Sequence, residues 1–134
     1  MRKIFLSIIL ILSACLAYGQ ILSDSAKIYL VTCTPGTEVW SKYGHTGIRV
    51  EDPTQKLDIA FNYGVFFMGE GFYGKFIKGD TYYQLGIEPY SYFLKSNQRI
   101  SRITYWQELN LTKDQKEKIF EALLINYRPE NRFY

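Results

Sequence analysis

The residue best suited to chemistry in this chain is His45, the only histidine among 134 residues. It lies between Gly44 and Gly47 at the start of a predicted strand, so a substrate or a second backbone segment can approach it closely. An imidazole takes up and returns protons near neutral pH, which makes general acid–base catalysis one interpretation. A histidine at the edge of the core is the other. One histidine is too few for most catalytic zinc sites, and we expect neither a metal nor a cofactor.

The second candidate is Cys33, which lies 12 residues before His45 at the end of another predicted strand. The chain has two cysteines, too few for a disulfide scaffold or a four-cysteine zinc site. If the thiol of Cys33 faces His45, it is a candidate nucleophile. If it is buried, it is a small apolar residue, as most free cysteines are. The spacing alone leaves both interpretations open.

Composition predicts one globular domain and excludes one class of partner. Hydrophobic residues make up 47% and charged residues 22% of the chain, and aromatic residues reach 17%. The net charge of +3 falls to +1, with 14 basic and 13 acidic residues, once Arg2 and Lys3 are left out. A nucleic-acid binder that relies on bulk charge is therefore excluded, and we expect no nucleic-acid partner.

Residues 1–19 have the layout of a secretory signal peptide, and residues 20–134 then form the domain. Arg2 and Lys3 precede an apolar run over residues 4–12, and small residues follow up to Gly19. An alternative is that the Leu-Ser-Ala sequence before Cys15 is a lipobox, which would make Cys15 a lipidated N-terminus. An uncleaved anchor is a third possibility. All three place the domain outside the cytoplasm.

Alternation of apolar and polar residues predicts strands over residues 26–33, 45–51, 57–63, 81–87 and 99–106. A helical turn is expected within residues 37–43, helical spacing marks residues 72–77, and a short helix is predicted over residues 89–94. The last helix begins at a capping box, Thr112 to Gln115, and ends before Pro129. Its apolar stripe comprises Ile119, Phe120, Leu123, Leu124 and Tyr127. This pattern predicts an α+β fold, a mostly antiparallel sheet with flanking helices.

Six segments follow one another in an order that resembles a known family. They are Leu-Val-Thr-Cys-Thr-Pro-Gly (30–36), Tyr-Gly-His-Thr-Gly-Ile-Arg-Val (43–50), Phe-Asn-Tyr-Gly-Val (61–65), Phe-Tyr-Gly-Lys-Phe-Ile-Lys-Gly (72–79), Gln-Glu-Leu-Asn-Leu-Thr (107–112) and Asn-Arg-Phe-Tyr (131–134). Together they resemble the N-terminal periplasmic domain of the Lnb family, whose members are bacterial lipoprotein N-acyltransferases. The resemblance covers residues 27–134, and the Gly-His-Thr and Phe-Asn-Tyr-Gly segments are its most specific parts.

The resemblance implies a fold and a reaction. The fold is a permuted papain-like one, in which the histidine strand precedes the cysteine helix. The reaction is acyl transfer by a Cys–His pair, which takes an acyl chain from a phospholipid as a thioester. The chain then passes to the α-amine of a diacylglyceryl cysteine on a lipoprotein. Lipoprotein and phospholipid substrates, a membrane surface and a periplasmic location are therefore expected.

The resemblance also bears on the nucleophile. In the family, the catalytic cysteine lies in an Asn-Cys-(Ser/Ala/Thr)-Thr block shortly after the segment that matches residues 131–134. This sequence stops at Tyr134, before such a block, so we expect a truncated chain without acyltransferase activity of its own. For Cys33 we accordingly expect burial and no contact with His45.

In papain-like sites a third polar group orients the histidine, and Asn62 is the candidate for this role. It lies on the predicted partner strand of His45, and we expect the two side chains to share one face of the sheet. The alternative is that Asn62 bonds to backbone at the end of its strand. Asp58, on the same strand and face, is a weaker candidate. Arg49 is expected to be solvent-facing or paired and to have no chemical role.

Aromatic residues are the candidates for substrate binding, and we select Tyr43, Phe66, Phe67 and Phe72. Such residues most often belong to the core, but in an acyltransferase some of them, with Tyr73 and Phe76, would line an acyl-chain groove or touch the membrane. Two other functions remain open. One is a papain-like cysteine peptidase or amidase acting on cell-wall peptide, and the other is a non-enzymatic protein that binds lipid or a partner.

Overall fold

The computed structural model describes residues 22–134, in which five strands form one antiparallel sheet. The strands are β1 (Lys27–Cys33), β2 (His45–Asp52), β3 (Leu57–Val65), β4 (Gln84–Pro89) and β5 (Thr104–Glu108). Their order across the sheet is β4-β3-β2-β1-β5, and every neighbouring pair is antiparallel. The predicted α+β class with a mostly antiparallel sheet is confirmed. The predicted signal peptide and the alternative lipidation of Cys15 lie outside the described residues.

Helices pack on both faces of the sheet, and β1 and β3 contribute buried apolar residues to both sides. The helices are α1 (Phe72–Lys78), α2 (Tyr90–Arg99) and α3 (Lys113–Tyr127), and a short 3-10 helix spans Val39–Ser41. One core cluster joins the sheet to α3, where the rings of Phe61 and Phe120 meet edge-to-face at 6.2 Å. The second cluster joins the opposite face to α2 through Phe93. Residues of β1, β2 and β3 that alternate with the first cluster therefore face α2.

The predicted start of the last helix at a capping box is confirmed. The Thr112 side chain accepts a hydrogen bond from the Gln115 backbone amide, and the Gln115 side chain accepts one from the Thr112 amide. Phe120 and Leu123 are buried, whereas Leu124 and Tyr127 at the margin of the predicted stripe remain exposed. The face of α3 that contacts the sheet is therefore narrower than the stripe predicted.

Three predicted boundaries are wrong, two of them because α2 is longer than predicted. It runs to Arg99 instead of ending near residue 94, because Phe93 and Asn97 are buried against the sheet. The fifth strand therefore begins at Thr104 and not at Arg99. The fourth strand begins at Gln84 and not at residue 81. Just before it, Tyr83 exchanges backbone hydrogen bonds with Tyr134, so the end of the chain lies along the edge of β4.

Within residues 22–134, none of the helices is long and apolar enough to cross a membrane.

Candidate functional site

The antiparallel pairing of β2 and β3 brings His45 and Asn62 together. The register pairs Ile48 with Phe61, so His45 and Asn62 point to the face of the sheet that carries α2. His45 Nε2 lies 2.6 Å from Asn62 Oδ1. The prediction that these side chains share one face of adjacent antiparallel strands is confirmed. The role predicted for Asn62, orienting the imidazole, remains a prediction.

Two glycines with positive φ angles lie beside this imidazole in the chain and in space. Gly44 has a φ of +78°, and a Cβ there would lie 2.8 Å from the carbonyl oxygen of Cys33. Gly64 has a φ of +91°, and a Cβ there would lie 3.7 Å from His45 Cε1. A positive φ strains side chains other than glycine, so the backbone on both sides of the ring depends on these two residues.

The amide of Asn62 is held on its other side by Glu88 of β4. Asn62 Nδ2 donates to Glu88 Oε1 at 3.1 Å. A carboxylate only accepts hydrogen bonds, so the amide nitrogen must face Glu88 and the amide oxygen must face His45. The amide oxygen also only accepts, so Nε2 of His45 is the nitrogen that carries the proton. In the neutral ring, the lone pair that can take up a proton is therefore on Nδ1.

The surroundings favour this neutral ring. Burial lowers the pKa of His45 below its ordinary value, and the positive charge of Arg102 acts in the same direction. The hydrogen bond to Asn62 and the charge of Glu88 act in the opposite direction and are outweighed. A neutral imidazole with a free Nδ1 is the form that a general base requires.

A cavity of about 680 Å³ opens beside this hydrogen-bonded chain, between the end of the sheet and α2. Its lining includes His45, Asn62, Val65, Phe66, Met68, Gly86, Ile87, Glu88, Tyr92, Phe93, Ser96, Asn97, Ile100 and Arg102. A second cavity of about 310 Å³ shares six of these residues and adds Trp40, Gly44 and Gly64. Apolar walls with a few converging polar groups are typical of small-molecule binding sites.

Cys33 lies beside His45 in the sheet, and its sulfur bonds to another residue. The register pairs the two residues directly, and Cys33 is 1% exposed. Among the described residues, its sulfur has a hydrogen-bond partner in Thr104 Oγ1, at 3.6 Å. Burial raises the pKa of the Cys33 thiol, and the contact with Thr104 and the charge of Arg102 only partly oppose this. The predicted burial is confirmed, the hydrogen bond of the sulfur goes to Thr104 and not to His45, and the environment disfavours a thiolate.

The other predicted candidates have different surroundings. Asp58 shares the face of Asn62, but it pairs with Arg49 through hydrogen bonds of 2.7 and 3.0 Å. The guanidinium of Arg49 also lies over the ring of Tyr90, 4.1 Å from its centroid. Arg49 is therefore paired, as predicted, and Asp58 is engaged away from His45.

The aromatic candidates separate into buried and exposed groups. Phe66 lines both cavities beside His45, and Phe72 is buried and stacks on Phe66 at 5.0 Å. Phe67 is 86% exposed and Tyr43 97% exposed. Tyr43 does not line either cavity beside His45, so the structure does not bring it into the site.

Sequence reasoning missed two residues of this site, Glu88 and Arg102. Glu88 was placed just beyond a strand predicted to end at residue 87, whereas β4 continues to Pro89. Arg102 was assigned to a strand, whereas it lies in the loop between α2 and β5. A charged residue next to a proline at the end of a strand was the only signal available for Glu88.

Within residues 22–134, no group of three or more His, Cys, Asp or Glu side chains is placed to hold a metal ion.

The titration of His45 tests this description of the site. We expect its ring signals in NMR spectra of the folded chain to give a pKa below the ordinary value of about 6.5. The Asn62→Leu variant should titrate lower still, because the bond that stabilises the imidazolium is lost. With a lowered pKa in the folded state, the unfolded chain binds the proton more tightly than the folded chain does. The free energy of unfolding should therefore fall as the pH drops below about 6.5, and level off below the pKa of the folded state.

Two controls accompany this titration. The same signal in urea should titrate near 6.5, and circular dichroism should show that Asn62→Leu folds. A folded-state pKa at or above the value in urea would contradict the account.

Comparison with known proteins was made at three levels. A family model described as the Lnb N-terminal periplasmic domain matches residues 16–134. No curated protein and no solved structure gave a match. The match takes in the whole sheet, all three helices and every residue of the site described above. The chain therefore belongs to the Lnb N-terminal periplasmic domain family.

Proposed function

We propose that this chain is the periplasmic domain of a thiol-dependent lipoprotein N-acyltransferase and that it supplies the histidine base. The observation that carries the proposal is the Glu88–Asn62–His45 chain, with hydrogen bonds of 3.1 and 2.6 Å, at the wall of a largely apolar cavity. It holds a neutral imidazole with Nδ1 free to receive a proton. Membership of the family supports the periplasmic location.

In the proposed reaction, Nδ1 of His45 takes the proton of a cysteine thiol, and the thiolate attacks an ester carbonyl of a phospholipid. The carbon–oxygen bond of the ester breaks, the lysophospholipid oxygen receives the proton from the imidazolium, and a thioester remains. The α-amine of a diacylglyceryl cysteine then attacks the thioester. The amide forms as the amine proton passes through His45 to the departing thiolate.

The thiol in this reaction is not that of Cys33. Its burial, its contact with Thr104 and its raised pKa all oppose a thiolate. We propose instead that the nucleophile belongs to the Asn-Cys block that family resemblance places after Tyr134.

The arrangement is also the basis for proposing a permuted papain-like site. In such a site an amide oxygen accepts from one ring nitrogen of the histidine and leaves the other nitrogen for the cysteine. Asn62 Oδ1 and His45 Nε2 satisfy the first condition at 2.6 Å. The order of the elements, with the histidine strand early in the chain, is consistent with the permutation.

A lipid substrate is favoured over a cell-wall peptide by the connection between β3 and β4, residues 66–83, which we call the aromatic connection. Phe66 and Met68 of this segment line the cavity beside His45. Large apolar side chains of the same segment are exposed, namely Phe67, Met68, Tyr73, Ile77 and Tyr82. Lys75 and Lys78 lie among them. Exposed aromatic residues with nearby lysines are typical of surfaces that lie at a membrane interface.

Acyl transfer tests the proposal directly. We expect N-acylation of a diacylated lipoprotein by a chimera in which the Asn-Cys block of a family member follows Tyr134. In the chimera, His45→Ala should lower the rate at least about 100-fold, because the base is lost. Cys33→Ser should leave the rate nearly unchanged. The mass of the N-terminal peptide of the lipoprotein measures the product.

The alternatives predict other results in the same assay. Turnover by the 134-residue chain that Cys33→Ser abolishes would identify Cys33 as the nucleophile. Cleavage of cell-wall peptide by the chimera, without acyl transfer, would identify a peptidase or amidase. Lipid binding without turnover of either substrate would support the non-enzymatic, lipid-binding alternative. Full activity in a folded His45→Ala variant would exclude the histidine from the mechanism.

Vesicle binding tests the aromatic connection. We expect the chain to cosediment with vesicles of phosphatidylethanolamine and phosphatidylglycerol. Phe67→Ser and Tyr82→Ser should each weaken the partition about tenfold, because each removes an aromatic side chain available for insertion. The matched control is Tyr105→Ser, a residue 59% exposed on β5 at the opposite edge of the sheet. An equal loss with the control, or no partition at all, would contradict a membrane surface here.

A further inference from the structure

Arg102 is held in a fixed position beside the cavity. Its Nε donates to the carbonyl oxygen of Thr34 at 2.7 Å. The backbone of the next residue also bonds to Thr34. Ile103 N donates to Thr34 Oγ1 at 3.0 Å, and Thr34 N donates to Ile103 O at 2.9 Å. The hydrogen bond to Thr34, the residue after β1, therefore fixes the position of the guanidinium.

This guanidinium has no acidic partner among the described residues. The ion pairs of residues 22–134 involve Lys27, Arg49 and Lys113 as cations. Nη2 of Arg102 is buried and has no hydrogen-bond partner. A buried donor on a charged group is costly to leave unsatisfied. A guanidinium that is fixed in position and has no carboxylate partner is therefore suited to bind an anion.

The position of Arg102 directs such an anion into the cavity. Arg102 lines both the cavity of about 680 Å³ and the adjoining one of about 310 Å³, together with His45. The one carboxylate in the larger lining, Glu88, is bonded to Asn62 and would repel an anion. Attraction by Arg102 and repulsion by Glu88 therefore place the anion at the end of the cavity that Arg102 lines. A guanidinium matches the geometry of phosphate oxygens through paired N–H groups.

We propose that Arg102 is an anion-binding subsite that takes a phosphate group, supplied by a phospholipid headgroup or as free phosphate. The subsite itself stands on the unpaired guanidinium and the cavity. Only its assignment to a lipid headgroup rests on the proposed acyltransferase function, in which the phosphate would place the acyl ester near His45.

His45 reports on this subsite without any need for turnover. The charge of Arg102 contributes to lowering the pKa of His45. An anion bound to the guanidinium cancels that charge, so the pKa of His45 should rise when the subsite is filled. Because the chain has one histidine, its ring signal in an NMR spectrum is unambiguous.

The experiment titrates the 134-residue chain with three ligands while the His45 signal is followed. They are dihexanoyl phosphatidylglycerol, inorganic phosphate, and dihexanoylglycerol, which has the acyl chains without the phosphate. We expect the phospholipid to bind and to raise the pKa of His45. Arg102→Gln should weaken its binding about tenfold, with Arg102→Lys intermediate, because lysine keeps the charge and loses the paired donors. Binding of dihexanoylglycerol should not depend on Arg102.

The matched control is Arg99→Gln, which removes the same charge from an exposed residue outside both linings. Inorganic phosphate that binds as tightly as the phospholipid, with the same dependence on Arg102, would support the subsite and assign it to free phosphate. Equal phospholipid binding by folded Arg102→Gln and the original chain would overturn the subsite, and so would an equal loss with Arg99→Gln. Neither result would decide whether acyl transfer occurs, so the two proposals fail separately.

Discussion

The site depends on a carboxylate that can only accept hydrogen bonds. Glu88 accepts a hydrogen bond from the amide nitrogen of Asn62, and the amide oxygen accepts one from Nε2 of His45, each direction following from the donors and acceptors available. Because these residues come from β4, β3 and β2, three strands must hold their register for the chain of bonds to close. The fold thus fixes the tautomer of the neutral ring as well as its position.

Opposite charges act on the imidazole of His45. Glu88 and the bond to Asn62 favour the imidazolium, whereas burial and Arg102 favour the neutral ring and prevail. A base must be neutral before reaction and must still tolerate the charge that it gains. The hydrogen-bonded amide provides this tolerance without a full negative charge in contact with the ring. An anion on Arg102 would cancel part of the effect that favours the neutral ring and would make proton uptake by His45 easier.

The predictable parts of this structure are those set by local sequence. The capping box of α3 spans four residues, and the hairpin of β2 and β3 joins two alternating segments through a short loop, so the contact of His45 with Asn62 could be predicted. Glu88 could not, because β4 pairs with β3 only after the aromatic connection, whose length leaves the register open. Arg102 falls within the strand predicted over residues 99–106, because the sequence pattern did not show that α2 continues to Arg99, where buried Asn97 lies in its last turns.

The most direct test of this account is the tautomer of His45, observed in a long-range proton–nitrogen correlation spectrum of the isotope-labelled chain at mildly alkaline pH. The account predicts a proton on Nε2 and none on Nδ1, a mixture of the two tautomers in Glu88→Ala, and no change in Asp58→Ala, which removes a carboxylate that pairs with Arg49 instead. A proton found mainly on Nδ1 in the original chain would contradict it, because the nitrogen assigned as the base would then have no lone pair to offer.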